Sequence, residues 1–176
     1  MQFDPSVVQT RYASPLGMMT LAATRSGLAG AWFDGQRHLP AALGVRPSWP
    51  LDAHHPLLIR TAQQLSEYFA GQRQAFDVPL DLSGGTAFQQ AVWQALLAIE
   101  PGQTSSYGNV SKTIGNAAAV RAVGAAVGRN PVSIIVPCHR ILGSDGSLTG
   151  YAGGLDRKTA LLKLEGALEK ICFDDC

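Results

Sequence analysis

The spacing of apolar residues changes at Ser83-Gly84-Gly85, and this change constrains the fold more than any other feature of the sequence. Before the change, apolar and β-branched residues occur in short runs that turn residues separate, as is typical of strands. These runs cover residues 7–12, 18–24 and 28–33 and predict a β-meander. After the change, apolar residues recur at helical spacing. The sequence therefore predicts two domains that differ in secondary structure.

The first domain is predicted to be α+β. Residues 57–70 have helical spacing, with most of their apolar side chains on one face, and residues 75–82 alternate as a further strand. We place this domain at residues 1–83, a second domain at residues 84–170 and a short tail at residues 171–176. A chain of 176 residues is long enough to give two small domains a core each.

The second domain is predicted to be mostly helical and to contain a helix-turn-helix. Thr86 begins a helix, Gln89 completes a capping-box pattern, and Pro101-Gly102 ends the helix. Two shorter helices follow at residues 107–115 and 117–128, and the turn between them contains glycine and asparagine. Two short helices joined by a tight turn favour a DNA-binding motif.

The second of these short helices carries small side chains where a reader of the major groove would carry polar ones. Ala119, Ala122 and Gly124 would let the helix backbone come close to a narrow groove, and Arg121 is the only charged residue of the helix. Contact with DNA through these four residues is one interpretation. Tight packing of the helix within its own domain is the other.

Charge and composition restrict the class of partner. Residues 1–83 carry six basic and six acidic residues, whereas residues 101–164 carry seven basic and two acidic ones. This local excess suits a polyanion, although a solvated basic face would have the same composition. No apolar run approaches the length of a membrane helix, and the first residues lack the features of a signal peptide. Three cysteines, two of them near the C-terminus, argue against a disulfide framework and for the cytoplasm.

Cys138 lies in the stretch IIVPCHRILG, residues 134–143, and three roles are open to it. As a metal ligand it would have only His139 nearby, without a second cysteine or histidine at ligand spacing, so no metal site is predicted. As a nucleophile it would need a base, because little of a free thiol is ionised at neutral pH. As a core residue it would be inert, as buried cysteines commonly are.

A nucleophilic Cys138 would use His139 through a bridging water molecule, because adjacent side chains point apart in an extended backbone. The far imidazole nitrogen would then need an acceptor, and Glu165 in the stretch LLKLEGA is the best candidate. The sequence has no glycine-rich nucleotide fingerprint, so no cofactor or soluble methyl donor is predicted. A cysteine nucleophile near a DNA-binding helix would then take its group directly from DNA.

Residues 121–166, RAVGAAVGRNPVSIIVPCHRILGSDGSLTGYAGGLDRKTALLKLEG, closely resemble the O6-alkylguanine-DNA alkyltransferases, and the resemblance continues upstream through residues 86–108. The core PCHR, with Asn-Pro before it and GYAGG after it, is highly specific to this family. The N-terminal half matches only in general pattern. The resemblance implies a ribonuclease H-like α+β N-terminal domain and a mostly α-helical, winged helix-turn-helix-like C-terminal domain.

The resemblance also implies roles for individual residues of the site. Cys138 matches the alkyl acceptor, and His139 with Glu165 matches the water-bridged base and its carboxylate partner. Asn130 matches an asparagine that braces the active-site turn. Tyr107 matches a tyrosine that donates a proton or a hydrogen bond to guanine N3.

Further positions match contacts with DNA and with the lesion. Arg121 matches an arginine that fills the stack when the target nucleotide flips out. Tyr151, Ala152 through its backbone amide, and Arg140 are assigned to the substrate pocket. The sequence departs from the family at Ala117, where a proline is usual, and it lacks the cysteines of the zinc site that some members have.

The function implied by this resemblance is repair of double-stranded DNA by stoichiometric transfer of a methyl or alkyl group from O6-alkylguanine, and also from O4-alkylthymine, to Cys138. The thioether product has no good leaving group, so the protein is predicted to act once, as a cytoplasmic monomer. A non-catalytic lesion binder or transcription regulator is the alternative. A cysteine hydrolase is a third hypothesis, but it gives no reason for the helix-turn-helix.

Overall fold

The computed structural model of the chain describes residues 1–44 and 48–168. The chain divides into two compact units. The first comprises Met1–Thr86 together with Pro131–Ser133, and the second comprises Ala87–Asn130 and the chain from Ile134 onward. The tail predicted at residues 171–176 lies outside the described residues. Among the helices in the described ranges, none has the length and apolarity that a membrane span requires.

A three-stranded antiparallel sheet forms the centre of the first unit, and the predicted β-meander is confirmed. Strand β1 (Val8–Ser14) pairs with β2 (Gly17–Ala23), and β2 pairs with β3 (Leu28–Phe33). Every residue of β3 is buried, including Gly30, where the Trp32 ring would lie only 1.7 Å from an added Cβ atom. Only glycine fits at this position.

The described part of the first unit contains two helices. The first, α1 (Ala41–Gly44), is a single turn, and the second, α2 (Pro56–Phe69), lies where the sequence predicts a helix. Pro56 suits the first turn of α2, because the N–H group that proline lacks would have no partner within the helix there. The apolar face of α2 packs on β1 and β2 and buries Leu58, Leu65 and Tyr68.

The strand predicted at residues 75–82 is wrong. A single bridge joins Leu80 to Leu28, with the Leu28 N–H donating to Pro79 O at 2.8 Å and the Asp81 N–H donating to Leu28 O at 2.9 Å. Pro79 has no N–H group to donate, so it interrupts the ladder that a longer strand would need. The alternating pattern therefore reflects one bridging contact and not a full strand.

Residues Pro131–Ser133 join the first unit although they are distant in sequence from the rest of it. The Ala31 N–H donates to Pro131 O and the Ser133 N–H donates to Ala31 O, both at 2.9 Å, so Val132 forms a parallel bridge with Ala31 of β3. Nothing in the sequence pattern predicted this return of the chain.

The second unit is mostly helical, as predicted. It contains α3 (Ala87–Leu97), α4 (Tyr107–Thr113), α5 (Val120–Gly128) and α6 (Leu155–Leu164), and α3, α4 and α5 pack against one another. Two short parallel strands, β4 (Ser105–Ser106) and β5 (Ile141–Leu142), lie just before α4 and just after a 3₁₀ turn at Cys138–Arg140. The buried Trp93 on α3 donates to the Ala126 carbonyl of α5 at 2.9 Å.

The helix-turn-helix pair α4 and α5 is shorter than the sequence analysis predicted. Helix α4 ends at Thr113, and Gly115 with φ 74° turns the chain. Helix α5 begins at Val120, because the Ala119 N–H donates to Asn116 O at 3.0 Å and closes a turn before the helix. Residues 117–119 therefore belong to the turn and not to the helix.

Candidate active site

Cys138 is the first residue of the 3₁₀ turn Cys138–Arg140 and is buried, with 4% of its surface exposed. Pro137 precedes the turn and fixes one backbone angle there. The Cys138 N–H donates to Val136 O at 2.8 Å, and the Arg140 N–H donates to Pro137 O at 3.0 Å. The thiol is therefore held on a rigid turn.

Asn130 connects this turn to the end of α5. Its Nδ2 atom donates to Val136 O at 2.7 Å and lies 3.0 Å from the Cys138 sulfur. The amide therefore holds the backbone before the cysteine and also presents a hydrogen-bond donor to the sulfur. Such a donor favours the ionised form of the thiol.

His139, Glu165 and Arg140 form a buried network next to the thiol. Nε2 of His139 lies 2.9 Å from Glu165 Oε1. The Arg140 guanidinium donates to both Glu165 oxygens, through Nε and Nη2, each at 2.8 Å, and also to the Ile99 carbonyl. Nδ1 of His139 is buried and has no hydrogen-bond partner within residues 1–44 and 48–168. The structure thus brings together the histidine and carboxylate that the sequence analysis paired.

Burial sets the protonation states of this network. It raises the pKa of Cys138 to about 11, against the lowering effects of the Asn130 hydrogen bond and the Lys158 charge. It also lowers the pKa of His139, so the imidazole is neutral and able to accept a proton. Burial opposes ionisation of Glu165, but the hydrogen bonds from His139 and Arg140 and the charge of Arg140 outweigh it and hold the pKa of that carboxyl well below its usual range.

The residues predicted to line the substrate pocket occupy two places. Tyr151 is buried and Ala152 is half-buried, in the loop that precedes α6. Arg140 is engaged by Glu165 and the Ile99 carbonyl, so its side chain already has partners in the network. Its assignment to the pocket stays a prediction.

Tyr107 reaches the same loop from the start of α4. Its hydroxyl donates to the Thr149 and Gly150 carbonyls at 3.5 Å. Burial, followed by the charge of Cys138, raises the pKa of Tyr107, so the phenol keeps its proton. A protonated phenol is what a donor to a departing base requires.

Of the residues predicted to contact DNA, Ala119 directly precedes α5, and Arg121, Ala122 and Gly124 lie in its first half. Arg121 and Ala122 are exposed, whereas Ala119 and Gly124 are half-buried. A Cβ atom at Gly124 would lie 3.8 Å from the Tyr107 ring, which is ordinary packing distance. Gly124 is therefore next to the tyrosine, and Arg121 is free to reach a ligand outside the unit. That these residues contact DNA stays a prediction.

Two residues of the site were missed by the sequence analysis. Lys158 is fully buried on α6, and its helical spacing to Leu161, Leu162 and Glu165 could have placed it on the inner face. Ile134, four residues before Cys138, has φ 74°. A β-branched residue rarely adopts this left-handed conformation, which costs about 1–3 kcal/mol, and no sequence pattern indicates it.

Together, the fold and the site define a helix-turn-helix protein that holds a buried cysteine beside a histidine–carboxylate pair. The family model described as 6-O-methylguanine DNA methyltransferase, DNA binding domain, matches residues 87–167. The model described as 6-O-methylguanine DNA methyltransferase, ribonuclease-like domain, matches residues 7–82. The chain belongs to the 6-O-methylguanine DNA methyltransferase family, and the resemblance and fold class inferred from sequence are confirmed.

Relatives in bacteria and archaea are similar over most of their length. The methylated-DNA–protein-cysteine methyltransferase of Mycobacterium tuberculosis is 49% identical over 86% of this chain and 88% of its own. That of Methanosarcina acetivorans is 46% identical over 89% of this chain and 96% of its own. The crystal structure of Mycobacterium tuberculosis OGT in complex with DNA has a TM-score of 0.79 at 45% identity and covers 92% of both chains.

Proposed function

We propose that this protein repairs DNA by transferring the alkyl group of O6-alkylguanine to the sulfur of Cys138. The observation that carries the proposal is the buried Cys138 thiol with Asn130 Nδ2 at 3.0 Å, on a turn whose next residue is a neutral histidine held by Glu165. The similarity to methylated-DNA–protein-cysteine methyltransferases supports it. The same site would accept O4-alkylthymine, whose alkyl–oxygen bond is chemically equivalent.

Cys138 must lose its proton to a base before it can act as a nucleophile, because burial keeps its thiol protonated at neutral pH. In the proposed reaction the thiol proton passes through a water molecule to Nδ1 of His139, and Glu165 stabilises the imidazolium that forms. Nδ1 is the ring atom that the protein leaves without a partner in its described part. The thiolate then attacks the alkyl carbon in line with the breaking carbon–oxygen bond.

The departing guanine must gain a proton as it loses the alkyl group. We assign this donation to Tyr107, whose hydroxyl carries its proton and lies at the loop that carries Tyr151. The proton that His139 received from the thiol then returns to the Tyr107 phenolate, so that in the net reaction one proton passes from sulfur to guanine. The sulfur ends as a thioether, which is a poor leaving group. The protein would therefore be consumed after one transfer.

Access to the alkyl group requires the nucleotide to leave the stack, because the O6 atom of guanine is otherwise enclosed in the duplex. We assign α5 to the DNA and the exposed Arg121 to the space that the base vacates. Small residues at Ala119, Ala122 and Gly124 allow the helix to come close. A thiol that acts once must stay reduced until it reacts, so we propose that the protein works in the cytoplasm. We also propose that it acts as a monomer.

Duplex DNA carrying radiolabelled O6-methylguanine tests this function. We expect one label per protein molecule at most, on the peptide that contains Cys138, and none in Cys138→Ala, which should still bind the lesion. Label on no peptide, with lesion binding intact, would select the non-catalytic binder. Removal of many methyl groups per protein molecule would select a hydrolase.

A further inference from the structure

Lys158 on α6 is fully buried, and no carboxylate is paired with it. Its exposed fraction is 0%, and no ion pair joins it to an aspartate or glutamate within residues 1–44 and 48–168. Lysines are almost never fully buried unless they are paired, because an uncompensated charge is costly in a protein interior. The structure must therefore compensate this charge in another way.

Three backbone carbonyl groups accept hydrogen bonds from the Lys158 ammonium. Nζ lies 2.5 Å from Ile141 O, 2.7 Å from Thr149 O and 3.4 Å from Gly150 O. Ile141 directly follows the turn that carries Cys138, and Gly150 directly precedes Tyr151. The ammonium thus joins the active-site turn to the pocket loop. Carbonyl dipoles solvate the charge, but they do not neutralise it.

Among the described residues, the titratable groups of this region leave one candidate for the missing negative charge. Glu165 is already shared by His139 and Arg140. His139 is neutral because burial lowers its pKa, and Tyr107 keeps its proton because burial raises its pKa. The group that remains is the thiol of Cys138, which carries a negative charge only when it is ready to react.

We propose that Lys158 is a positioning residue that supplies the counter-charge for the thiolate of Cys138, so that ammonium and thiolate form a buried pair at the moment of transfer. The inference rests on the proposed function for the role of Cys138 as acceptor. Lys158 keeps its own proton throughout, and the thiol proton still goes to His139. The thioether product is neutral, so alkylation removes the partner of the ammonium.

The electrostatics of the two groups agree with this pairing. Burial lowers the pKa of Lys158 to about 8, and the charge of Cys138 acts against that lowering. In return, the charge of Lys158 acts against the burial that raises the pKa of Cys138. A coupling between two charges must act in both directions. Because the ammonium loses its proton near pH 8, its effect on the thiol must fade above that pH.

The pH dependence of Cys138 alkylation in Lys158→Met tests the proposal. Iodoacetamide serves as the probe, because it reacts with thiolates without DNA or guanine, so the result stands apart from the proposed function. Peptide mapping separates Cys138 from Cys172 and Cys176. Lys163→Met is the matched control, since Lys163 is an exposed lysine on the same helix.

We expect Lys158→Met to react more slowly by about tenfold at neutral pH, which corresponds to one pKa unit of the thiol. The difference from the wild-type protein should close above pH ~9, where the wild-type amine is itself uncharged. Lys163→Met should follow the wild-type protein at every pH. A fall of the same size at every pH, or no fall at all, would overturn the proposal.

Lys158→Gln separates charge from hydrogen bonding, because glutamine keeps a donor without the charge. It should behave like Lys158→Met, and a wild-type profile in this variant would also overturn the proposal. If circular dichroism shows that neither variant folds, the pH dependence of alkylation in the wild-type protein alone tests the proposal. Its alkylation rate should rise less steeply above pH ~8 than below it, whereas an unbroken rise would contradict a charged partner.

Discussion

Asn130 and Cys138 are eight residues apart in the chain, and the side-chain amide nitrogen of Asn130 lies 3.0 Å from the sulfur of Cys138. The same nitrogen donates to the Val136 carbonyl at 2.7 Å. One amide group therefore fixes the backbone before the cysteine and stabilises charge on its sulfur. A side chain with both tasks links the shape of the turn to the reactivity of the thiol.

We expect Asn130→Ala to lose reactivity and stability together. The variant removes a donor to the sulfur and one of two donors to the buried Val136 carbonyl, which keeps its hydrogen bond from the Cys138 N–H. Losing one such hydrogen bond costs about 0.5–1.5 kcal/mol of unfolding free energy. The thiol pKa should rise, so the rate of reaction with free O6-benzylguanine should fall by about tenfold or more at neutral pH. Urea unfolding and the rate constant measure the two effects. A normal rate constant would show that the amide only braces the turn.

Glu165→Gln should destabilise the protein strongly, because it leaves the buried Arg140 guanidinium without a negative partner. Breaking a buried ion pair in this way costs about 3–5 kcal/mol. Because the folded pKa of Glu165 is held below its ordinary value of 4.5, wild-type stability from this group is fully present above that pH and is lost as the pH falls below it. Unfolding experiments at several acidic pH values should show this loss in the wild-type protein and a smaller one in the variant.

Cys138→Ser should change the stability of the protein at alkaline pH. Burial raises the pKa of the wild-type thiol from 9.0 to about 11, so the unfolded chain ionises first and the wild-type protein loses stability as the pH rises through this range. Serine does not titrate there. The variant should therefore gain stability relative to the wild-type protein between pH ~9 and pH ~11. Equal pH dependence of the two unfolding free energies would mean that the thiol is not desolvated.

Arg121→Ala should separate the handling of DNA from the chemistry at sulfur. Arg121 is exposed on α5, and we expect its loss to slow repair of O6-methylguanine in duplex DNA by about tenfold or more, because flipping the base costs a few kcal/mol. Reaction of Cys138 with the free base O6-benzylguanine should keep its wild-type rate. An equal fall in both rates would make Arg121 a structural residue.

Gly30→Ala should destabilise the first unit, because the added Cβ atom would meet the Trp32 ring at 1.7 Å. Overpacking of this kind costs about 1–3 kcal/mol or more. Gly128→Ala is the matched control, since nothing lies within 4 Å of its added Cβ atom and alanine favours a helix. Thermal melting should show a lower midpoint for the first variant and an equal or higher one for the second.

Local patterns in the sequence were sufficient to predict the meander and the long helix of the first unit, but not the single turn α1. The meander and α2 follow from apolar spacing and turn residues, which act over a few positions. The same patterns predicted a strand at residues 75–82 that does not form, because only Leu80 of that segment bridges to Leu28. The start of α5 was also misplaced, since residues 117–119, which complete the turn that Ala119 closes on Asn116, are all alanine, and alanine favours a helix.

The candidate site was predictable where chemistry determines residue type, and it was not where packing determines conformation. Cys138, His139 and Glu165 were identified because a thiol nucleophile needs a base and the base needs an acceptor. Lys158 was overlooked, because a lysine is ordinarily a surface residue and its burial depends on carbonyl groups that no pattern reveals. The left-handed backbone at Ile134 is likewise a product of tertiary structure.

The return of Pro131–Ser133 to the first unit has a consequence for anyone who wishes to recombine the protein. The chain passes from one unit to the other after Thr86, again after Asn130 and a third time after Ser133. A fragment that begins at residue 87 would contain Pro131–Ser133 but would lack Ala31, the residue of β3 that donates a hydrogen bond to Pro131 O and accepts one from the Ser133 N–H. The second unit therefore cannot be separated from the first by cutting the chain at a single position. Fusions or chimaeras should exchange both units together.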